Sequence, residues 1–265
     1  VNKQDTVSEE LLDCFYKSKN ISNLKYWLKL LYTKPIPEKY YFSVTDKKSL
    51  IRKDTILKDV QVALEKINNA EVLGELVRAL EGRTDDKSTD ILLTLLTHEN
   101  STVRYWTALS LKGNHSPKLI AKLPELLNKV STRVVSLTDL AIENNLDTLQ
   151  SIYENIYKNE LERDWQRSSI EYLSTFPKDR HKEIFKKILQ NKEEDTFIKR
   201  DAALGLGKLK DESAVDLIIS ACRQESEASD YNAQTFLVAL GMIKGDKAKA
   251  EIEKYKDSKE EGVRE

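Results

Sequence analysis

The chain has 265 residues, of which 33% are charged and 40% hydrophobic, and its formal net charge is −1. With only eight glycines and five prolines, this composition favours a helical globular protein over a collagen-like or low-complexity one. No apolar run reaches the roughly 18 to 20 residues of a membrane-spanning helix. No basic cluster offers the face that nucleic acid requires. We therefore expect neither a membrane span nor a nucleic-acid partner.

The first 66 residues predict an irregular helical region. Helical patterns cover 7–17, 21–32 and 49–67, and Pro35 and Pro37 end the second one. Eight of the 20 aromatic residues fall between residues 15 and 42. Residues 1–66 are predicted to form a cap that closes one end of a repeat array. The same aromatics could also form a docking site, for which the candidates are Tyr26, Trp27, Tyr32, Tyr40 and Tyr41.

From residue 70 onward the sequence repeats. A short apolar signature occurs six times at intervals of 29 to 36 residues, each time inside a helical pattern that a second helical pattern follows. A period of this size is typical of a solenoid, in which each repeat packs only on its neighbours. The copies are Ala79-Leu80-Glu81, Ala108-Leu109-Ser110, Asp139-Leu140-Ala141, Ser169-Ile170-Glu171, Ala203-Leu204-Gly205 and Ala239-Leu240-Gly241.

The period predicts an all-α fold, an alpha-alpha superhelix of about six helix pairs, in residues 67–265. The first helix of each pair is called A and the second B. The predicted A helices are 70–81, 102–112, 132–144, 161–175, 196–208 and 229–243. The predicted B helices are 87–97, 117–128, 146–157, 179–190, 212–223 and 247–256. Small residues such as Ala202, Ala203, Gly205 and Gly207 predict close approach of neighbouring helices, because glycine is otherwise costly inside a helix.

Two stretches carry a family resemblance. Residues 198–209 (IKRDAALGLGKL) resemble a HEAT repeat, most closely the short variety found in phycobilin lyases, and residues 103–111 (VRYWTALSL) are a second good match. The resemblance extends over roughly residues 70–257, with weaker copies at 139, 169 and 239. It implies a HEAT-like solenoid and says little about function, because such repeats serve unrelated roles.

The resemblance also implies that B helices line a concave surface. Exposed positions on these helices carry both signs of charge, which suits a protein or peptide partner better than a polyanion. We therefore expect a non-catalytic interaction scaffold. The candidate contact residues are Lys118, Lys122, Glu154, Lys182 and Lys186, with Tyr26, Trp27 and Tyr40 from the aromatic segment.

Three other functions stay open at this point. The repeats could be an accessory region of a larger enzyme, such as a secreted sulfatase, although neither cysteine lies in a C-x-P-x-R motif. They could form a bilin-lyase-type subunit. A DNA glycosylase of HEAT-like type is a weaker alternative, based on Trp106, Trp165, Arg167 and Asp139, because both tryptophans fall on A helices.

The sequence offers no catalytic, cofactor or metal site. No glycine-rich phosphate loop, G-x-S-x-G or C-x-x-C occurs. The histidines His98, His115 and His181 have no ligand at metal-binding spacing and are predicted to be solvated surface residues. Cys14 and Cys222 lie on apolar stripes, which predicts buried, unpaired thiols.

Arg104 and Lys199 occupy the same position near the start of an A helix. In HEAT repeats a basic residue there commonly bonds to acidic groups, so we expect a structural role. The chain begins at Val1, as after trimming or removal of a signal peptide, and its compartment and oligomeric state stay open.

Overall fold

The structure, a computed structural model, describes Leu12, Lys17 and residues 20–34, 52–227 and 229–264. Cys14, Tyr40, Tyr41 and most of the predicted helix 7–17 lie outside these residues. The chain divides into two compact units, unit 1 (Val1–Leu146) and unit 2 (Asp147–Glu265). The described residues contain helices and turns without a β-strand, which confirms the predicted all-α repeat fold.

Unit 1 alternates A and B helices after a first helix that packs against the second. The A helices α3, α5 and α7 form one layer, and the B helices α2, α4 and α6 form the other, because each contacts the next of its own kind. The unit 1 helices are α1 (Ile21–Thr33), α2 (Leu57–Lys66), α3 (Ala70–Val77), α4 (Asp86–Leu95), α5 (Ser101–Ser110), α6 (Pro117–Asn128) and α7 (Ser136–Glu143).

Unit 2 repeats the arrangement. The A helices α9, α11 and α13 pack in sequence, and so do the B helices α10, α12 and α14. The unit 2 helices are α8 (Gln150–Asn159), α9 (Arg163–Thr175), α10 (Lys182–Gln190), α11 (Thr196–Lys208), α12 (Val215–Ser226), α13 (Gln234–Ile243), α14 (Asp246–Ile252) and α15 (Glu261–Arg264).

Side-chain caps fix where several A helices begin. Asn69, Asn100 and Asp195 each precede an A helix and accept hydrogen bonds from two backbone N–H groups of its first turn. These N–H groups have no partner inside the helix, so a capping oxygen stabilises the start by about 1 kcal/mol. The same kind of residue thus starts the A helix in three repeats.

Helix α11 approaches its neighbouring helices closely at two glycines, as predicted. A Cβ atom at Gly207 would lie 2.9 Å from the Cα atom of Ala239 on α13. At Gly205 it would lie 2.5 Å from the Phe185 ring on α10. Both distances are shorter than carbon atoms tolerate, so α11 keeps its neighbours this close only because these positions lack a side chain.

Candidate functional site

A cleft of about 970 Å³ opens on the B layer of unit 1, and we call it the unit 1 cleft. It lies between α2 and α4 and extends over the loops that follow them. Ligand sites are typically concave and combine apolar surface with polar groups that orient the ligand; this cleft is the more polar kind, since eight of its 13 lining residues are polar or charged. Its apolar floor consists of Leu64, Ile67, Leu73, Ile91 and Leu95, all of them buried in the core.

The rim of the unit 1 cleft is acidic. Four carboxylates line it, those of Glu65, Asp86, Asp90 and Glu99, against a single lysine, Lys87. The Lys87 Nζ atom lies 3.2 Å from Glu65 Oε1, so that pair is neutral overall. Asp90 is likewise paired, with Lys118 of α6. The remaining two carboxylates, those of Asp86 and Glu99, give the cleft a negative field that favours a cationic ligand.

Lys118 and Lys122, two of the predicted contact residues, lie on α6, the helix of this layer that follows α4. Lys118 Nζ donates to Asp90 Oδ1 at 2.6 Å and so joins α6 to α4. This hydrogen bond raises the pKa of the lysine above its ordinary value. Lys122 Nζ pairs with Glu125 on its own helix at 2.7 Å. Only Lys118 therefore reaches a residue that lines the unit 1 cleft.

Glu154 of α8 receives two hydrogen bonds inside unit 2. Arg180 Nε donates to its Oε1 atom at 2.7 Å, and His181 Nε2 lies 2.8 Å from the same atom. Partial burial opposes ionisation, but these hydrogen bonds lower the pKa of Glu154 below its ordinary value. Its carboxylate is thus committed to holding the turn before α10.

The prediction that His181 is solvated is wrong. Its side chain is fully buried, and its Nδ1 atom accepts a hydrogen bond from the Lys178 backbone N–H at 3.1 Å. With Nδ1 as acceptor, a neutral ring carries its proton on Nε2 and donates to Glu154. The histidine stabilises this turn, because one ring nitrogen binds the Lys178 backbone and the other binds Glu154.

Lys182 and Lys186 lie on α10 and differ in their surroundings. Lys182 pairs with Asp179 in the preceding turn at 2.7 Å. Lys186 Nζ contacts Asp211 Oδ2 at 3.0 Å and donates to Ser213 Oγ at 2.9 Å, so it joins α10 to the turn before α12. Lys186 is only 20% exposed, and it belongs to the packing between repeats more than to an open surface.

A second cleft, of about 610 Å³, lies on the B layer of unit 2 between α12 and α14. Glu251 lies in it, 3% exposed, and accepts two hydrogen bonds from Arg223 at 2.7 and 2.6 Å and one from Lys254 at 2.6 Å. The bonds from Arg223 lower the pKa of Glu251 to about 2. The positive and negative charges in this cleft largely neutralise one another, so the cleft favours neither a cationic nor an anionic ligand.

Of the aromatic candidates, Tyr26 and Trp27 both lie on α1. Tyr26 is 48% exposed, beside Lys25 and Tyr32 in a small pocket, and it stays a candidate. Trp27 is fully buried because it lies on the face of α1 that also carries the buried Leu24 and Leu28. The structure thus places Trp27 in the core, so the prediction that it contributes to an exposed docking surface is wrong. Tyr40 lies outside the described residues.

Arg104 and Lys199 are buried, as a structural role requires. Both donate to backbone carbonyls of the loop before their own helix: Arg104 to His98 and Glu99 at 2.7 Å, and Lys199 to Lys192 at 2.9 Å. Lys199 also binds Glu225 of α12 at 2.8 Å. The expected bond to an acidic group is thus confirmed for Lys199, whereas the hydrogen bonds of Arg104 go to backbone oxygen atoms.

Cys222 is fully buried, as predicted, and burial raises the pKa of its thiol to about 11. A thiol of this kind is a poor nucleophile at neutral pH. In the described part of the chain, no three or more His, Cys, Asp or Glu side chains are placed to hold a metal ion. No described helix combines the length and the apolar character needed to cross a membrane.

Comparison with solved structures gives helical proteins of low sequence identity. The complex of CpcE and CpcF of phycocyanin lyase from Nostoc sp. PCC7120 matches at 17% identity and a TM-score of 0.39, covering 96% of this chain and 95% of that one. Human deoxyhypusine hydroxylase in complex with glycerol matches at 14% identity and a TM-score of 0.38, covering 92% and 93%. At these values the backbones follow one another only loosely.

A comparison with curated proteins finds no match. A family model does match part of unit 2, from the third residue of α11 to near the end of α12. The predicted resemblance is thereby confirmed at its strongest copy: residues 198–224 match the PBS lyase HEAT-like repeat.

Proposed function

We propose that this protein is a non-catalytic HEAT-like scaffold whose B layer binds a protein or peptide in the unit 1 cleft. The observation that carries the proposal is the cleft itself, a space of about 970 Å³ with an apolar floor and an acidic rim. Neighbouring repeats hold α2 and α4 in place, so the cleft is formed before a partner arrives. A preformed cleft lowers the entropy lost on binding.

The rim chemistry selects a cationic segment. Asp86 and Glu99 contribute negative charge that neither Lys87, paired with Glu65, nor Lys118, paired with Asp90, neutralises. An amphipathic segment with lysine or arginine on one face and leucine-like side chains on the other matches both the rim and the floor. In this proposal Lys118 orients Asp90 toward the partner instead of contacting the partner itself.

The test uses a fluorescent amphipathic peptide made of leucine and lysine, titrated against the whole chain by fluorescence anisotropy. Thr94 is an exposed residue of α4 that lines the cleft, so Thr94→Tyr fills the space without adding charge. Asp86→Lys reverses a rim charge. Each change is expected to lower the affinity for the peptide about fivefold or more. A change of this size corresponds to the loss of one contact of moderate strength.

The matched control is Asp164→Lys. Asp164 is also an exposed acid in the first turn of a helix, α9, and lies far from the cleft in sequence. Its variant is expected to bind like the unmodified chain. Equal affinity in Thr94→Tyr and Asp86→Lys, or preference for a polyanion over the basic peptide, would contradict the proposal.

The repeat match at 198–224 supports a second candidate, a bilin-lyase-type subunit. Incubation with a free bilin separates the two functions, because a bound bilin changes its visible absorption spectrum. A scaffold leaves the spectrum of the free pigment unchanged. A bilin adduct would favour the lyase alternative.

A further inference from the structure

The A layer of unit 2 exposes two large aromatic side chains. Phe197, the second residue of α11, is 49% exposed, and Tyr231, in the turn that leads into α13, is 56% exposed. Both come from the beginning of successive A-layer elements. Single exposed aromatics are common, but exposed apolar side chains that lie together as a patch mark interaction sites.

Arginine side chains alternate with these rings. The Arg167 guanidinium carbon lies 4.3 Å from the centre of the Phe197 ring. The Arg200 guanidinium carbon lies 5.6 Å from the Phe197 centre and 5.5 Å from the Tyr231 centre. We call Arg167, Phe197, Arg200 and Tyr231 the arginine–aromatic row. All of these distances allow cation–π attraction.

Hydrogen bonds hold the middle of the row in place. Arg200 donates to the Tyr231 backbone carbonyl at 3.2 Å and to Asn232 Oδ1 at 3.1 Å. These bonds fix the guanidinium between the two rings. The row is therefore ordered before binding, and a partner loses little side-chain entropy when it docks there.

Arg167 leaves its donors unused. It is exposed, and among the described residues it forms no ion pair or hydrogen bond; one face of its guanidinium covers Phe197. Arg163, one turn earlier on α9, instead pairs with Glu194 at 3.1 Å. A stacked arginine with free N–H groups is well suited to hold a carboxylate in two parallel hydrogen bonds.

The nearby carboxylates do not cancel this charge. Asp201 and Glu171 lie close to the row, together with Lys208. Burial, reinforced by repulsion from Glu171, raises the pKa of Asp201 to about 7, which weakens its negative charge at neutral pH. The net charge of this surface is therefore positive. Three cations, Arg167, Arg200 and Lys208, face Glu171 and a partly neutral Asp201.

We propose that the arginine–aromatic row is a second docking surface, which binds an acidic protein segment. A carboxylate of the segment pairs with Arg167, and a neighbouring apolar side chain covers Phe197 and Tyr231. Arginine, tyrosine and other aromatics dominate the binding energy of protein interfaces. A nucleic acid fits less well, because Glu171 would repel a phosphate backbone and two arginines neutralise few phosphates.

The test begins with a phage-displayed library of random linear peptides, selected on the whole chain. Peptides that combine aspartate or glutamate with an aromatic or aliphatic residue are expected to be enriched. A synthetic copy of the best one is then measured by fluorescence anisotropy. Arg167→Glu and Phe197→Ala are each expected to lower the affinity for this peptide about tenfold, because each removes a residue that anchors the interface.

Two matched controls separate the row from general surface effects. Arg163→Glu reverses a charge on the same helix, and Tyr105→Ala removes another exposed aromatic, from α5 of unit 1. Both variants are expected to keep the affinity. The cleft variant Thr94→Tyr should also bind the acidic peptide normally, so this surface is tested independently of the unit 1 cleft.

Three results would overturn the proposal. The library could yield only basic or uncharged peptides. The selected acidic peptide could bind Arg167→Glu and Phe197→Ala as tightly as the unmodified chain. An oligothymidylate could bind the unmodified chain and fail to bind the Arg167→Glu variant, which would identify the row as a single-stranded nucleic-acid site instead.

Discussion

Lys199 and Glu225 form a buried ion pair, with 2.8 Å between Nζ and Oε1, and the lysine side chain is only 1% exposed. The pair joins α11 to α12, and Glu225 also accepts a hydrogen bond from Thr196 at 2.6 Å. Replacing Lys199 by methionine leaves a carboxylate with a single partner in a mostly buried position. We expect Lys199→Met to lower the free energy of unfolding by about 2 to 3 kcal/mol, measured by urea denaturation.

A double variant and a surface pair test the cause. Lys199→Met with Glu225→Leu removes both charges and should recover part of the loss, because no charge is then buried alone. Arg163→Met breaks the exposed pair with Glu194 and should cost less than about 1 kcal/mol. A similar loss in all three variants would show that burial of the pair is not what matters.

Gly207 sets how closely α11 approaches α13. Gly207→Ala places a Cβ atom 2.9 Å from the backbone of Ala239, which has no flexible side chain to move aside. We expect a loss of about 1 to 3 kcal/mol in thermal or urea unfolding, typical of overpacking.

Gly241 is the matched control, because it also lies inside an A helix, α13. A Cβ atom there meets no other atom within 4 Å. Gly241→Ala should therefore stabilise the protein by up to about 1 kcal/mol through helix propensity alone. Stabilisation by both substitutions would mean that α11 and α13 are not packed as closely as described.

Asp201 makes stability depend on pH in an unusual direction. Burial and the nearby Glu171 raise its pKa in the folded chain from 3.8 to about 7. Between these values the folded state keeps a proton that the unfolded state releases, so stability falls as pH rises from about 4 to about 7. Asp201→Asn removes this effect and should gain about 1 to 3 kcal/mol at pH 8 but almost nothing at pH 4.

Melting temperatures at pH 4, 6 and 8 measure that difference. Asp164→Asn, at an exposed acid of α9, should show no such trend. A constant difference between Asp201→Asn and the unmodified chain at every pH would contradict the raised pKa.

Glu251 is expected to act in the opposite direction. The hydrogen bonds from Arg223 lower its folded-state pKa from 4.5 to about 2. Its contribution is fully present above pH 4.5 and is lost as the pH falls through 2. Because Arg223 and Lys254 are more than half exposed, solvent screening limits the loss in Glu251→Gln to about 1 to 2 kcal/mol at pH 6. Urea denaturation at pH 6 and pH 2.5 should give a smaller loss at the lower pH.

The architecture could be predicted because each repeat contains its own signals. The apolar period placed every A and B helix between residues 70 and 256 within a few residues of its observed bounds, and the small residues of α11 predicted close approach of neighbouring helices. Turn geometry was harder. Lys210 and Lys244 adopt positive φ angles of 50° and 69° after A helices. A lysine in the sequence does not predict this conformation, which is uncommon for residues other than glycine.

The candidate surfaces depended on contacts that no local pattern contains. His181 was predicted to be solvated because it lies near a helix end, yet Glu154, 27 residues earlier, gives its buried ring a hydrogen-bond partner. Trp27 looked like a docking residue because aromatics cluster around it, and only the packing of α1 shows which of them point inward. Sequence spacing likewise predicted that lysines lie on B helices but not that carboxylates form ion pairs with them.

The polar contacts between repeats bridge short distances along the chain. Lys118 binds Asp90, Lys199 binds Glu225 and Arg223 binds Glu251, with separations of 28, 26 and 28 residues. A chain held together by such near neighbours has a low contact order within each unit, which favours rapid folding that spreads from one repeat to the next. It also means that a whole repeat can be gained or lost by duplication or deletion without breaking any distant contact, so the length of such a protein is free to change in evolution while its local packing is preserved.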